Sequence, residues 1–154
     1  MPFYQLDASA IVKRYVAEAG SRWIRGLAVA GNRNSISIAE VTRVEVAGAL
    51  ARREREGSLS PAERARLRST FEAHCAARYR LVPTERHVVD LAVEFVGRHR
   101  LRAYDAIQLA TAFVVGRSLS QYGLPPVIFV SADDELLLAA ASEGLLIENP
   151  NLHP

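Results

Sequence analysis

Short apolar runs alternate along the chain with longer stretches in which apolar residues recur every three or four positions. This alternation predicts βαβ units and a parallel sheet. Residues 3–6 read as a first strand, Ala8 to Ala19 as a helix ending at Gly20, and Ser21 to about Ala30 as a second helix. Ser35 to Ile38 reads as the second strand, and Val41 to Glu56 as a helix stopped by Gly57. Ser60-Pro61-Ala62-Glu63 combines a capping box with proline in the first turn, so the next helix starts near Pro61. Arg80 to Val82 suits a short strand, with Thr84 capping a helix that runs to about Arg98. A further helix spans roughly Ala103 to Ser118, and Tyr122-Gly123-Leu124-Pro125-Pro126 breaks it. Val127 to Val130 is the clearest strand, four apolar and largely β-branched residues in a row, as expected where both faces are buried. Glu135 to Ser142 reads as helix and Leu145 to Ile147 as a last strand, which completes an α/β plan of about five strands flanked by helices.

At 154 residues the chain fits one domain with one core. Its composition, 49% hydrophobic and 23% charged, is that of an ordinary globular protein. The single cysteine, Cys75, excludes an internal disulfide and a cysteine-based zinc site, and a cytoplasmic location is the expectation. The opening MPFYQLDASA lacks a basic leader and a long apolar run, so it does not read as a signal peptide, and no stretch approaches the roughly 20 apolar residues of a membrane span. Charge is unevenly spread. Residues 1–105 carry 18 basic and 12 acidic groups, a sum of +6, whereas residues 106–154 carry 1 and 5, a sum of −4. The basic groups are all arginine apart from Lys13, which suits phosphate contact and suits a solvated surface equally well.

Aspartate is scarce, five residues against twelve glutamates, so its placement is informative. Asp7 follows the first strand and precedes a helix, where capping alone could explain it. Asp133 and Asp134 follow the Val127–Val130 strand, and Ser131-x-x-Asp134 matches a capping box. Glu45 and Asp105 are harder to explain locally. One turn from Glu45 lie Val41, Gly48 and Ala49, a poor setting for a solvated carboxylate. Asp105 opens a helix that is apolar nearly all round. In an open parallel sheet, residues just after strands emerge on the edge where ligands bind. Asp7 and Asp133 sit there, and Glu45, read as about two turns into its helix, and Asp105 could both reach that edge. Carboxylates gathered against a core need compensation, and a divalent cation is the obvious one.

Four segments then carry a family resemblance: Asp7-Ala8-Ser9-Ala10 with Val12-Lys13, Thr42-Arg43-Val44-Glu45-Val46, Asp105-Ala106-Ile107-Gln108-Leu109-Ala110-Thr111-Ala112, and Phe129-Val130-Ser131-Ala132-Asp133. In this order and spacing they resemble the successive motifs of PIN-domain ribonucleases, and more narrowly of VapC toxins of toxin–antitoxin pairs, over essentially the whole chain, residues 1–154, as one PIN-like domain. The resemblance implies a Mg²⁺ or Mn²⁺ site made by Asp7, Glu45, Asp105 and Asp133, with Asp133 chosen over the adjoining Asp134. It also implies endonucleolytic cleavage of RNA by a metal-activated water, leaving 5′-phosphate and 3′-hydroxyl ends. Ser9 and Ser131 match hydroxyl positions that support the site or orient water, though a local cap explains either equally well. Such proteins form homodimers and are inhibited by a VapB-like antitoxin whose basic side chain enters the acidic site. Val12, Val16, Trp23, Ile24, Leu27, Ala47 and Leu50 offer apolar surface for these contacts, although most of it is expected in the core.

The chemistry agrees. Phosphodiester hydrolysis needs charge neutralised at phosphorus and a nucleophile made from water, and hard cations on oxygen ligands supply both. Histidine is then unnecessary: His74, His87, His99 and His153 show no zinc spacing, although His99, within Arg98-His99-Arg100-Leu101-Arg102, could touch RNA. The main rival is a PIN nuclease of RNA processing or decay without an antitoxin, separable by whether a short DNA-binding protein is encoded upstream. A non-catalytic PIN-like binding module is disfavoured, because concentrated negative charge gains little facing a polyanion. A phospho-accepting receiver would need a lysine after a late strand, and the chain's one lysine is Lys13. No P-loop, dinucleotide-binding glycine motif or D-x-D start is present.

Overall fold

The computed structural model describes residues 1–29 and 31–153. Five parallel strands, β1 (Phe3–Leu6), β2 (Ser35–Ala39), β3 (Arg80–Val82), β4 (Val127–Val130) and β5 (Leu146–Glu148), form one sheet in the order β3-β2-β1-β4-β5. Seven α-helices connect and cover them: α1 (Ala8–Ile11), α2 (Ser21–Leu27), α3 (Thr42–Arg55), α4 (Pro61–Ala77), α5 (Arg86–Arg98), α6 (Ala103–Gln121) and α7 (Asp134–Ser142). After β1 the chain builds outward through β2 to β3, then returns to add β4 on the other side of β1. The order therefore reverses between β1 and β4, the switch point beyond whose carboxyl ends ligands bind in open parallel sheets. None of the described helices is long and apolar enough to cross a membrane.

Two apolar layers hold the helices to the sheet. Leu6, Ile36, Ile38 and Val130 pack with Ile11, Ile24, Val46, Leu50 and Phe71 on one face. Phe129 packs with Phe95, Leu109, Ala112, Leu136 and Ala140 on the other. Val12, Ile24 and Leu50, read as candidate partner surface, are buried in the core, and Val16, Trp23 and Leu27 pack against it. The Ser60 capping box forms as expected, Ser60 Oγ accepting from Glu63 N while Ser60 N donates to Glu63 Oε2.

The first helix departs from the sequence reading. Instead of running to Ala19 it gives way after Ile11 to a 3₁₀ turn, Val12–Arg14. Tertiary bonds outweigh local helix propensity here. The tight turn aims the buried Lys13 at Glu18, 3.1 Å away, with Arg53 on the other oxygen of that carboxylate. It also sets Tyr15 Oη 2.8 Å from both His74 Nδ1 and Tyr79 Oη, with Arg14 donating to Tyr79. Ser21 Oγ takes the Glu18 N–H and donates to Val16 O, which satisfies the backbone where the helix was expected. The second helix ends at Leu27; its expected last residue, Ala30, lies outside the described residues. Glu85 rather than Thr84 occupies the N-cap of α5.

Gly20 precedes α2 at φ +82°, and a Cβ there would stand 2.2 Å from the carbonyl oxygen of Pro150. Both the positive φ and the close approach demand glycine. Gly20→Ala is expected to destabilise the fold by about 1–3 kcal/mol, read as a lower urea midpoint; an unchanged midpoint would contradict this packing.

Candidate metal centre

Asp7 directly follows β1 and stands at the N-cap of α1. β1 runs along the middle of the sheet, the Asp7 N–H continues its pairing to Val130 O at 3.1 Å, and the side chain then turns to cap α1 by accepting from Ala10 N at 2.9 Å. Two hydroxyls complete its surroundings. Ser9 Oγ donates to Asp7 Oδ1 at 2.8 Å and Ser131 Oγ to Oδ2 at 2.7 Å, with the two hydroxyl oxygens 3.3 Å apart. Ser9 Oγ in turn accepts from Ala132 N, and Ser131 Oγ from Asp133 N. The serines thus tie the loop after β4 to the loop after β1, and neither caps a helix. Their protons are committed to the carboxylate.

Glu45 lies in the first turn of α3, nearer its start than the sequence reading placed it. Its Oε1 accepts from the side-chain amide of Gln108 on α6, at 2.6 Å. Asp105 stands in the first turn of α6 and is half-buried, beside the backbone of Arg102 at the N-cap. Asp133 is exposed at the N-cap of α7, with Oδ1 taking the N–H groups of Glu135 and Leu136. It is Asp133, not Asp134, that caps this helix: Asp134 Oδ1 instead accepts from Asn149 Nδ2 at 2.8 Å.

The acids act on one another. Burial raises the Asp7 carboxyl from 3.8 to about 6 against the lowering effect of its hydroxyl and backbone donors, and Asp105 adds repulsion. Glu45 is pushed to about 7 by burial, eased by the Gln108 bond and raised further by Asp7 and Asp105. Asp105 is raised by burial first and then by Asp133, with Arg102 opposing and Glu135 adding to the rise. Asp7, Glu45, Asp105 and Asp133 therefore form one electrostatic chain at the strand ends. Among the described residues no three His, Cys, Asp or Glu side chains are assembled tightly enough to hold a metal ion as they stand.

Around this pocket the basic side chains divide. Arg98 and His99 are both tied to Glu143, His99 Nε2 lying 2.6 Å from Oε1, so the histidine offered by sequence as an RNA contact is already engaged. Arg100 and Arg102 are exposed on the segment leading to Asp105 and make no salt bridge among the described residues, though Arg102 stands near enough to Asp105 to favour its charge. Sequence reading missed Gln108 and Thr42, both fully buried and both bonded into the site. Their signal was available: an amide within the apolar run of α6, one turn after Asp105.

Fold and site together define a parallel α/β protein with mutually repelling carboxylates near the sheet's switch point. The chain belongs to the PIN domain family, whose model matches residues 4–142. No curated protein matches it in sequence. Among solved structures it is similar to PAE2754 from Pyrobaculum aerophilum at 22% identity and TM-score 0.60, covering 95% of this chain and 83% of that one. It is similar to VapBC2 from Rickettsia felis, solved bound to a DNA fragment from its promoter, at 12% identity and TM-score 0.62, covering 96% and 98%. VapC20 of Mycobacterium tuberculosis, described as a toxin cleaving the sarcin–ricin loop, aligns at 14% identity and TM-score 0.63, covering 93% and 96%.

Proposed function

We propose that the protein is a metal-dependent endoribonuclease, a VapC-like toxin restrained by a cognate VapB-like antitoxin in the cytoplasm. What supports this reading is that Asp7, Glu45 and Asp105 stand near enough at the strand ends of a PIN fold to raise one another's carboxyl pKa. The donor set fits a hard divalent cation. All four candidate groups are carboxylates, three have their charged forms disfavoured by burial and by one another, and Mg²⁺ or Mn²⁺ on oxygen ligands relieves that cost. Asp7, Glu45 and Asp105 would hold the ion, with Asp133 beside Asp105 as the fourth acid. When bound, the cation supplies the Lewis acidity that water needs to attack a phosphodiester.

The chain's own residues do the rest. Ser9 and Ser131 fix both oxygens of Asp7, so its carboxylate keeps one orientation. The exposed guanidiniums of Arg100 and Arg102 offer forks for phosphates flanking the cut, which offsets the repulsion between an acidic pocket and a polyanion. The structural likeness to VapBC2, and to the FitAB complex solved on a DNA fragment, supports an antitoxin partner. Incubation with total RNA, with and without Mg²⁺ or Mn²⁺, tests the reading. Discrete cuts with 5′-phosphate and 3′-hydroxyl ends that appear only with metal are expected. Intact RNA under every metal condition would defeat it.

A homodimer accompanies this function. One apolar face left open among the described residues is on α5 and α6, where Val89, Val93 and Val96 with Ala103 and Ile107 line a groove of about 250 Å³. Val93 is 68% exposed. Light scattering after size exclusion is expected to give a dimer, and Val93→Asp a monomer; a concentration-independent wild-type monomer would contradict it.

A further inference from the structure

Gln108 is an amide in the wrong company. It lies on α6 among Leu109, Ala110 and Ala112, is 1% exposed, and would be replaced by leucine or methionine if filling space were its only task. Instead it spends both amide hydrogens on α3, donating to Thr42 Oγ1 at 2.8 Å and to Glu45 Oε1 at 2.6 Å. Its own Oε1 is buried without a partner. Turning the amide over would let Thr42 Oγ1 donate to the oxygen but would set that oxygen against the Glu45 carboxylate oxygen and lose the bond to it. The unfilled acceptor is the cost of keeping the donor on Glu45.

Gln108 also follows Asp105 by three residues, so one face of α6 delivers a carboxylate and, one turn on, an amide to the same pocket. Glu45 has the longest of the acidic side chains here and needs restraint, since a free glutamate loses considerable rotamer freedom when it ligates. Thr42 begins α3, is fully buried, and anchors the amide between the two helices. The bond to Oε1 leaves Glu45 Oε2 without a protein donor among the described residues.

We propose that Gln108 is a positioning residue which, anchored on Thr42, holds the Glu45 carboxylate ready for a divalent cation by bonding one of its oxygens and leaving the other open. This inference rests on the acidic metal site proposed above. Its test is direct Mn²⁺ binding by the full chain, followed by electron paramagnetic resonance or calorimetry without RNA. Gln108→Met fills nearly the same volume without the amide, and is expected to bind Mn²⁺ about 10–100-fold more weakly while melting as the wild type does without metal. Should that variant not fold, Gln108→Asn, which keeps the amide but falls short of Glu45 by one methylene, carries the same comparison. Wild-type affinity in a folded Gln108 variant overturns the positioning role and leaves the metal site standing. A wild-type chain that binds no Mn²⁺ overturns both.

Discussion

Replacing Asp7 with asparagine is expected to reduce metal-dependent RNA cleavage by about 10³-fold while leaving the fold intact. The carboxylate is 5% exposed and sits at the centre of the coupled acids, so its charge has little solvent compensation. Charge stabilisation by a metal site is worth several kcal/mol, and each 1.36 kcal/mol is about tenfold in rate. The fold should survive because asparagine can reproduce the local bonds. Its carbonyl can accept from Ala10 N and Ser9 Oγ, and its amide can donate to Ser131 Oγ. Without metal at neutral pH the variant is expected to melt higher than the wild type, since a buried charge has been removed. Cleavage mapped on the same RNA with both proteins decides it; full activity of Asp7→Asn would take Asp7 out of the chemistry.

The second large effect is a reversal of the usual acid sensitivity. Without metal, the protein is expected to become more stable as pH falls from about 8 to about 5. Asp7, at about 6 in the folded chain against 3.8 as a free side chain, and Glu45, at about 7 against 4.5, hold protons more tightly folded than unfolded. Stability therefore falls as pH rises between the unfolded and folded values, and the penalty is complete above about pH 7. For Asp7 alone the difference corresponds to roughly 3 kcal/mol. A cation that holds these carboxylates in their charged form should flatten the slope. Melting temperatures across this pH range in EDTA and in Mn²⁺ provide the measurement, and a metal-free melting temperature that rises with pH would refute the burial of these charges.

Much of the architecture could be read from residue pattern because buried parallel strands are nearly continuous apolar runs. Val127–Val130 and Phe3–Leu6 appear as read, and all five expected strands form. What failed was local propensity set against distant bonds. The alanine-rich stretch after Asp7 favours helix, yet Lys13 and Tyr15 have partners at Glu18, His74 and Tyr79 that only the folded chain supplies. At the site, Asp7 is also explicable as a helix cap, but sequence order could nominate Glu45 and Asp105 as acids in unsuitable places. It could not show that the Ser9 and Ser131 hydroxyls both point at Asp7, since hydroxyl direction depends on two loops more than a hundred residues apart in the chain. In sequence, resemblance alone prefers Asp133 to Asp134; in the fold Asp133 caps α7 while Asp134 accepts from Asn149, a partner that sequence order does not reveal.

The position of Asp7 at the end of a strand paired on both sides has a mechanical meaning. Opening the backbone there would break β1 from β2 and β4 together, so its amide should exchange with solvent only when the whole domain unfolds. Were RNA cut at this site, as proposed, the floor beneath it would open only with the whole domain, and adjustment to the shape of an incoming strand would fall to the rim.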